Sequence, residues 1–553
     1  MKAVIGAVLV AAASFCHPLV SFSQTSGTEI GNHPLDGFGD YLRTDELVLF
    51  WTEDIFNEEA DRLERKVFSQ IIYNDNQPDV DDLIFQRHDP ELVRHEYNTD
   101  GVEPHFRGAD FHHNPVDVVT GDFNGDGHET FIGAYAGDGV IHIVLNELNP
   151  QRMSGDNVDN FDIPITNYEI RTVAESYVGG LFRLVSADLT RDGKDDLILA
   201  YRTDTDYVIE VFSVTGDLNL ERIGSYNAGA WPAGYSAFDV AAGKMTPDNR
   251  REIVFAYAAS TSSATTVVVE ADILSVDPAH TPLAINSLGV RELYSGSVLA
   301  RFAGIAVKTG DFTGNLIQEA AVGFNIWKSA DSGGSGQDNL FVRILDLADG
   351  DPAVWPDFDY VATIVEGLTA LTIDTGDVDG DGQDEIVVMN DGLALVLRAP
   401  ERPPIMEVDL NEDDDGPDAP EKNVSIYVDQ NLNLSIPLAA ARYSSAFMVI
   451  SDVNQRRDLI RLGQSGFSSE VIVVNDSGID NLAQGELFNF RISVLGLEST
   501  ASTRLRHLTS DNFQAGTRDQ DQRGRSYALA AGDFTLSRIR YENPRRYQLT
   551  DIR

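Results

Sequence analysis

A short acidic frame, Gly-Asp-x-Asp/Asn-x-Asp-Gly followed by an apolar run, returns along this sequence at nearly constant spacing. Its fullest copy occupies residues 376–390, with carboxylates at alternate positions, Asp377, Asp379 and Asp381, then Gly382 and an apolar run over 386–389. With Asp377 as position 1, oxygen ligands fall at positions 1, 3 and 5, at the backbone carbonyl of Gln383 and at Glu385, position 9. A hard cation such as Ca2+ takes that donor set from a short loop. Gly382, at position 6, suits the sharp turn that folds the loop around the ion. An EF-hand would need Glu at position 12 and a helix on each side, but position 12 is Val388, within a segment that reads as a buried strand. The loop therefore belongs to a β-hairpin.

Four more copies keep the frame. One places Asp122, Asn124 and Asp126 at positions 1, 3 and 5, with Gly127 at position 6 and the weaker ligand Thr130 at position 9. The next supplies Asp188, Thr190, Asp192, Gly193 and Asp196 in the corresponding places. In the copy after that, Lys244 stands at position 1, where it would repel an ion. The fourth keeps Asp311, Thr313, Asn315 and Glu319 but has lost the glycine at position 6. Position 1 thus falls at residues 122, 188, 244, 311 and 377, at intervals of 66, 56, 67 and 66. A fixed period of that size marks a repeat architecture. A strand-like segment precedes each loop, the apolar run follows it, and further strand-like segments such as 140–145, 207–214 and 265–274 come after most copies. That supplies about four strands per repeat, as a propeller blade requires.

The frame resembles the FG-GAP/VCBS repeat of integrin-α-like β-propellers over residues 115–400, and it reappears at 531–535. The resemblance implies an all-β propeller of six or seven four-stranded blades, with calcium-binding hairpin loops and a surface for a protein or glycan ligand. Carried over by position, it implies Ca2+ ligands at Asp122, Asn124, Asp126, Asp188, Thr190, Asp192, Asp196, Asp377, Asp379, Asp381 and Glu385. A lone loop of this kind also fits a solvated turn, since Asp and Gly favour turns without any ion. Five in register argue against that.

The flanks are read by composition. Residues 1–23 combine Lys2, a short apolar core and the small residues Ser21 and Ser23, the pattern of a secretory signal peptide. The one cysteine, Cys16, lies inside it, so an exported chain would carry no disulfide. Residues 24–110 hold Ile55, Leu63, Val67 and Ile71, whose spacing predicts a helix over 54–71 in a small α or irregular N-terminal region. Residues 111–400 carry the blades. An acidic linker, 411–420, opens the stretch 401–525, whose strand-like segments suit either a further blade or an inserted β-sandwich. The last partial blade, 526–553, is too short for four strands. Either the strand-like segment 46–51 completes it and closes the ring, or the chain is a fragment of a longer protein.

Charge narrows the partners. With 88 acidic against 41 basic residues and a net charge of −47, binding to nucleic acid or an anionic membrane through a basic surface is disfavoured. No apolar run after the leader is long enough for a transmembrane helix. Nucleophile-elbow, phosphate-loop and zinc-protease motifs are missing from the sequence. The expectation is a secreted calcium-binding propeller that binds a protein or carbohydrate. The alternative is a carbohydrate-active enzyme such as a polysaccharide lyase, with the cluster His105, Arg107, Asp110, His112 and His113 as its source of acid/base groups.

Overall fold

The computed structural model describes residues 46–532 with gaps. Residues 1–45, 100–115, 398–407, 410–447, 452–468 and 533–553, with shorter connecting stretches, lie outside the described residues. The leader, the 105–113 cluster and the acidic linker fall among them, as do Asp126, Asp379 and Asp381.

Seven four-stranded antiparallel sheets make up the described chain, beside two small two-stranded pairings. The second sheet shows the plan: Val116–Gly121, Thr130–Gly137, Val140–Leu148 and Ile165–Val173 pair in chain order. Sheets beginning at Phe182–Ala187, Phe238–Gly243, Ala300–Gly310, Leu371–Gly376 and Met448–Ser451 repeat it. The remaining sheet joins both ends of the described chain. Its first strand is Arg525–Gly532, paired with Glu46–Asn57, then Arg62–Ile72 and His95–Tyr97. Successive first strands lie against one another, from Arg525–Gly532 to Val116–Gly121 and onward, until Met448–Ser451 returns to Arg525–Gly532. The architecture is propeller-like and all-β.

The core lies between sheets rather than within any one of them. Ile132, Ala134 and Ile143 of one sheet pack on Phe182, Leu184 and Leu199 of the next, and the same happens between Phe238, Phe255 and Tyr207. Such strands are covered on both faces, which is why they read as continuous apolar runs instead of alternating ones. Position 2 of every acidic frame adds an apolar plug: Phe123, Leu189, Met245, Phe312 and Val378 are all buried.

The helix expected over 54–71 is not formed. Glu46–Asn57 and Arg62–Ile72 are antiparallel strands, in register from Leu47 opposite Ile72 to Asn57 opposite Arg62. Leu47 through Trp51 are all buried, Trp51 stacks on Phe68 at 5.4 Å, and Val67 and Ile71 pack into the neighbouring sheet. Burial on both faces erases the alternation, so an accidental four-residue spacing mimicked a helical stripe, while the β-branched and aromatic content suits a strand. Among the described residues there is no helix at all, which also corrects the expected α component of the N-terminal region. Met448–Ser451, Glu470–Asp476, Leu487–Leu497 and Leu505–Thr517 form a four-stranded sheet of the common plan.

Candidate metal centre and the charges of the first strands

Each acidic frame is the connection between the first and second strands of a sheet, and position 9 starts the second strand or lies at its edge. In four copies the position-9 carboxylate turns back and accepts the N–H of position 2. Asp196 Oδ2 accepts from Leu189 at 3.1 Å, Glu252 Oε2 from Met245 at 2.9 Å, Glu319 Oε2 from Phe312 at 3.0 Å and Glu385 Oε2 from Val378 at 2.9 Å. Position 9 therefore closes the loop whether or not the other ligands survive. Thr130, the fifth copy's residue there, instead donates its hydroxyl to the Asn146 carbonyl, away from the loop.

The second oxygen of that carboxylate separates the copies. In the loop beginning at Lys244 it accepts the Thr246 hydroxyl at 3.0 Å, and in the loop beginning at Asp311 it accepts the Thr313 hydroxyl at 3.2 Å. The Thr190 hydroxyl still acts on the shorter Asp196 and favours its charged form, but the contact is weaker. The Asp196 Oδ1 and the Thr190 Oγ1 are both buried, and neither has a partner in full hydrogen-bond geometry. Asp196 is 1 % exposed, and desolvation pushes its carboxyl up to about 7. Desolvation likewise raises Asp188, against the pull of N–H donors from its own loop. Asp188 accepts from Asp192 and Gly193 at 3.2 and 3.1 Å, and Asp192 accepts from Lys194 at 3.0 Å. Two buried oxygens so poorly satisfied, in a loop of three carboxylates and a hydroxyl, suit an oxygen-seeking cation such as Ca2+. The carboxylates are turned to their own backbone, and among the described residues no three His, Cys, Asp or Glu side chains converge on a point.

The other expected ligands are placed as follows. Asp122 Oδ1 accepts from Gly125 at 2.8 Å, in the same loop as Asn124. Asp377 Oδ2 accepts from Gly382 at 2.8 Å, and Gly382 has φ +89°, which only glycine adopts readily. In the Asp311 loop Leu316 takes that position at φ +69° and stands exposed, a strained substitute.

Sequence reasoning passed over position 8. Asp195, from the Asp188 loop, accepts the Asp122 N–H on its Oδ2 at 2.8 Å and donates its own N–H to the Asp122 carbonyl at 2.9 Å. Gln318 does the same to Lys244, and Asp384 to Asp311. Ser469 donates its N–H to the Asp377 carbonyl at 2.8 Å. The four loops beginning at Asp122, Lys244, Asp311 and Asp377 are thus clasped by the next sheet. The available signal was the pair of polar residues before the second strand: Asp195 with Asp196, Gln318 with Glu319, and Asp384 with Glu385.

The first strands carry a second group of charges, also unmarked by the motif. Asp117, Arg183, Asp239, Lys308 and Asp374 come from five successive sheets and act on one another electrostatically around Lys308. Asp117 Oδ2 accepts the Leu184 N–H at 2.9 Å, Asp239 Oδ2 the Val307 N–H at 2.8 Å, and Asp374 Oδ2 the Ile450 N–H at 2.6 Å. In each case a carboxylate satisfies an N–H on the open edge of the neighbouring sheet. Arg183 Nε donates to Asp239 Oδ1 at 3.0 Å, and Lys308 Nζ lies 3.7 Å from Asp374 Oδ1. Lys308 is half exposed. Desolvation acts to lower its pKa, but the surrounding carboxylates outweigh it and the net shift is upward. A ladder of hydroxyls runs beside these charges. Thr120 donates to the Ala531 carbonyl, Ser186 to that of Thr120, Thr309 to Ala242 and Thr375 to Thr309, all at 2.6–2.9 Å.

No family model matches the chain, and no curated protein does. Among solved structures, the alpha-L-arabinofuranosidase of Fusarium graminearum in complex with an iminosugar inhibitor is similar, with a TM-score of 0.34 and 12% identity, over 54% of this chain and 80% of that one. A point mutant of the same enzyme with an iminosugar inhibitor has a TM-score of 0.32 at 12% identity, over 54% of this chain and 80% of its own.

Proposed function

We propose that the chain is an exported, calcium-stabilised β-propeller of the FG-GAP/VCBS type, a closed ring of seven blades that binds a protein or carbohydrate ligand. The observation that carries the calcium part is the Asp188 loop, where Thr190 Oγ1 and Asp196 Oδ1 are buried with no partner in full hydrogen-bond geometry beyond their weak mutual contact, among further carboxylates. Asp188, Thr190, Asp192 and Asp196 would hold the ion, which would supply charge neutralisation and a fixed loop shape. Ring closure draws support from the pairing of Arg525–Gly532 with Glu46–Asn57 and from the cyclic order of first-strand contacts. Binding rather than catalysis draws support from how the axial carboxylates are used. Asp117, Asp239 and Asp374 spend oxygens on backbone N–H groups and neighbouring cations, which is structural work.

Thermal unfolding in chelator and in millimolar calcium tests the first part. An ion that binds only the folded chain stabilises it by about 2.7 kcal/mol per site at a hundredfold excess over Kd. A melting temperature indifferent to calcium would sink the reading. A glycan and protein binding screen tests the second part, run beside a turnover assay on acidic polysaccharides. Product release in that assay would replace the binder with an enzyme.

A further inference from the structure

We infer that a cation held in the Asp188 loop also stiffens the neighbouring Asp122 loop, and that Asp195 is the positioning residue that links the two. The inference rests on the calcium reading above and adds a connection between sites.

The link is short. Asp196, the expected ligand at position 9, is adjacent in the chain to Asp195, which grips Asp122 by both backbone groups, the N–H at 2.8 Å and the carbonyl at 2.9 Å. The loops also touch through side chains. A Cβ on Gly121 would lie 2.8 Å from Asp195 Oδ2, and one on Gly125 would lie 2.9 Å from the Lys194 stem. Gly125 has φ +75°, and its N–H is the donor to Asp122. A cation that fixes Asp196 therefore fixes Asp195, and with it the backbone of the ligand Asp122 and the surface against which Gly125 rests. Coupling of this kind is reciprocal, so whatever orders the backbone at Asp122 also favours a cation in the Asp188 loop. Gln318, which clasps Lys244 through an amide, indicates that the contact needs an acceptor oxygen and not a charge.

Hydrogen exchange by mass spectrometry on the purified full chain, with calcium or chelator, tests this. The peptides to follow cover 121–125 and 188–196. In Asp122→Ala the first loop has lost its own ligand, so any slowing of exchange by calcium there must arrive from the neighbour. The expected result is that calcium still slows exchange at 121–125 by roughly fivefold or more. In Asp122→Ala with Asp195→Ala that slowing should vanish, while the slowing at 188–196 remains. Asp195→Asn in place of Asp195→Ala should restore most of it. Loss of the calcium response at 121–125 in Asp122→Ala alone, with 188–196 still responding, would overturn the coupling and leave the calcium reading standing. Persistence of the response at 121–125 without Asp195 would also overturn it. No calcium response at 188–196 in the unmutated chain would overturn both.

Discussion

Asp239 is the residue whose loss should be felt most widely, because one carboxylate serves three sheets. It lies on Phe238–Gly243, accepts Arg183 Nε from the preceding sheet at 3.0 Å, and accepts the Val307 N–H from the following sheet at 2.8 Å. The side chains of Arg183 and Asp239 are only 8% and 11% exposed, so neither end of the pair can recruit much water when the other is removed. Breaking a buried ion pair by deleting one partner costs about 3–5 kcal/mol, and a stranded N–H adds about 1–3 kcal/mol. Arg183 keeps a bond to the Phe182 carbonyl, which softens the loss. The expected cost of Asp239→Ala is therefore about 4 kcal/mol, at the low end of that sum. Asp239→Asn keeps one acceptor and should cost about half as much. Arg183→Met, which removes the cation but leaves Asp239 bonded to Val307, should cost less than Asp239→Ala. The double variant should fall short of the sum of the singles by about 0.5–3 kcal/mol, as for any pair in contact. Urea unfolding at constant slope measures all four. A cost below about 1 kcal/mol for Asp239→Ala would refute the view that the axial charges hold the sheets together.

Other expectations follow from the loops and seams. Calcium-dependent melting should be lost in large part with Asp196→Ala but unchanged with Thr313→Val, because the Thr313 hydroxyl already fills the second oxygen of Glu319; calorimetry of the two variants compares them. Thr313→Val should still cost about 1 kcal/mol for the lost hydrogen bond. Desolvation pushes Glu319 up to about 8 from an ordinary 4.5, so the folded chain favours its protonated form. Its stabilising contribution is complete below about pH 4.5 and lost as pH rises through about 8, with a slope of at most about 1.4 kcal/mol per pH unit. Glu319→Gln should therefore lose less stability than the unmutated chain between pH 6 and 9, and parallel denaturation profiles would refute the assignment. At the seam between the closing sheet and its neighbour, a Cβ on Gly133 would overlap the Phe50 ring, so Gly133→Ala should cost about 1–3 kcal/mol by overpacking, measured as a shift in the unfolding midpoint.

Much of the architecture was legible because its signals are local. The turn chemistry of Asp and Gly, the apolar run after each frame and the even interval between frames are all properties of short stretches, and they placed the first two strands of five sheets. The same stretch also marked Asp188, Thr190, Asp192 and Asp196 as a donor set. Three things were not legible, or only in part. The strand Arg62–Ile72, and Glu46–Asn57 beyond its strand-like start at 46–51, hid because burial on both faces removes the two-residue alternation by which a strand announces itself. The pairing of Glu46–Asn57 with Arg525–Gly532 stood as one of two readings of the short last blade, because nothing local decides a contact between residues nearly 480 positions apart. Finally, the roles of Asp195, Gln318 and Asp384, and of the axial Asp117, Asp239 and Asp374, depend on which N–H groups of a neighbouring sheet come within 3 Å. The sequence by itself determined where each loop lies and which oxygens it owns. Only the tertiary structure decided which of those oxygens are already spent, because a hydrogen bond between sheets is fixed by packing and not by the residues beside it in the chain.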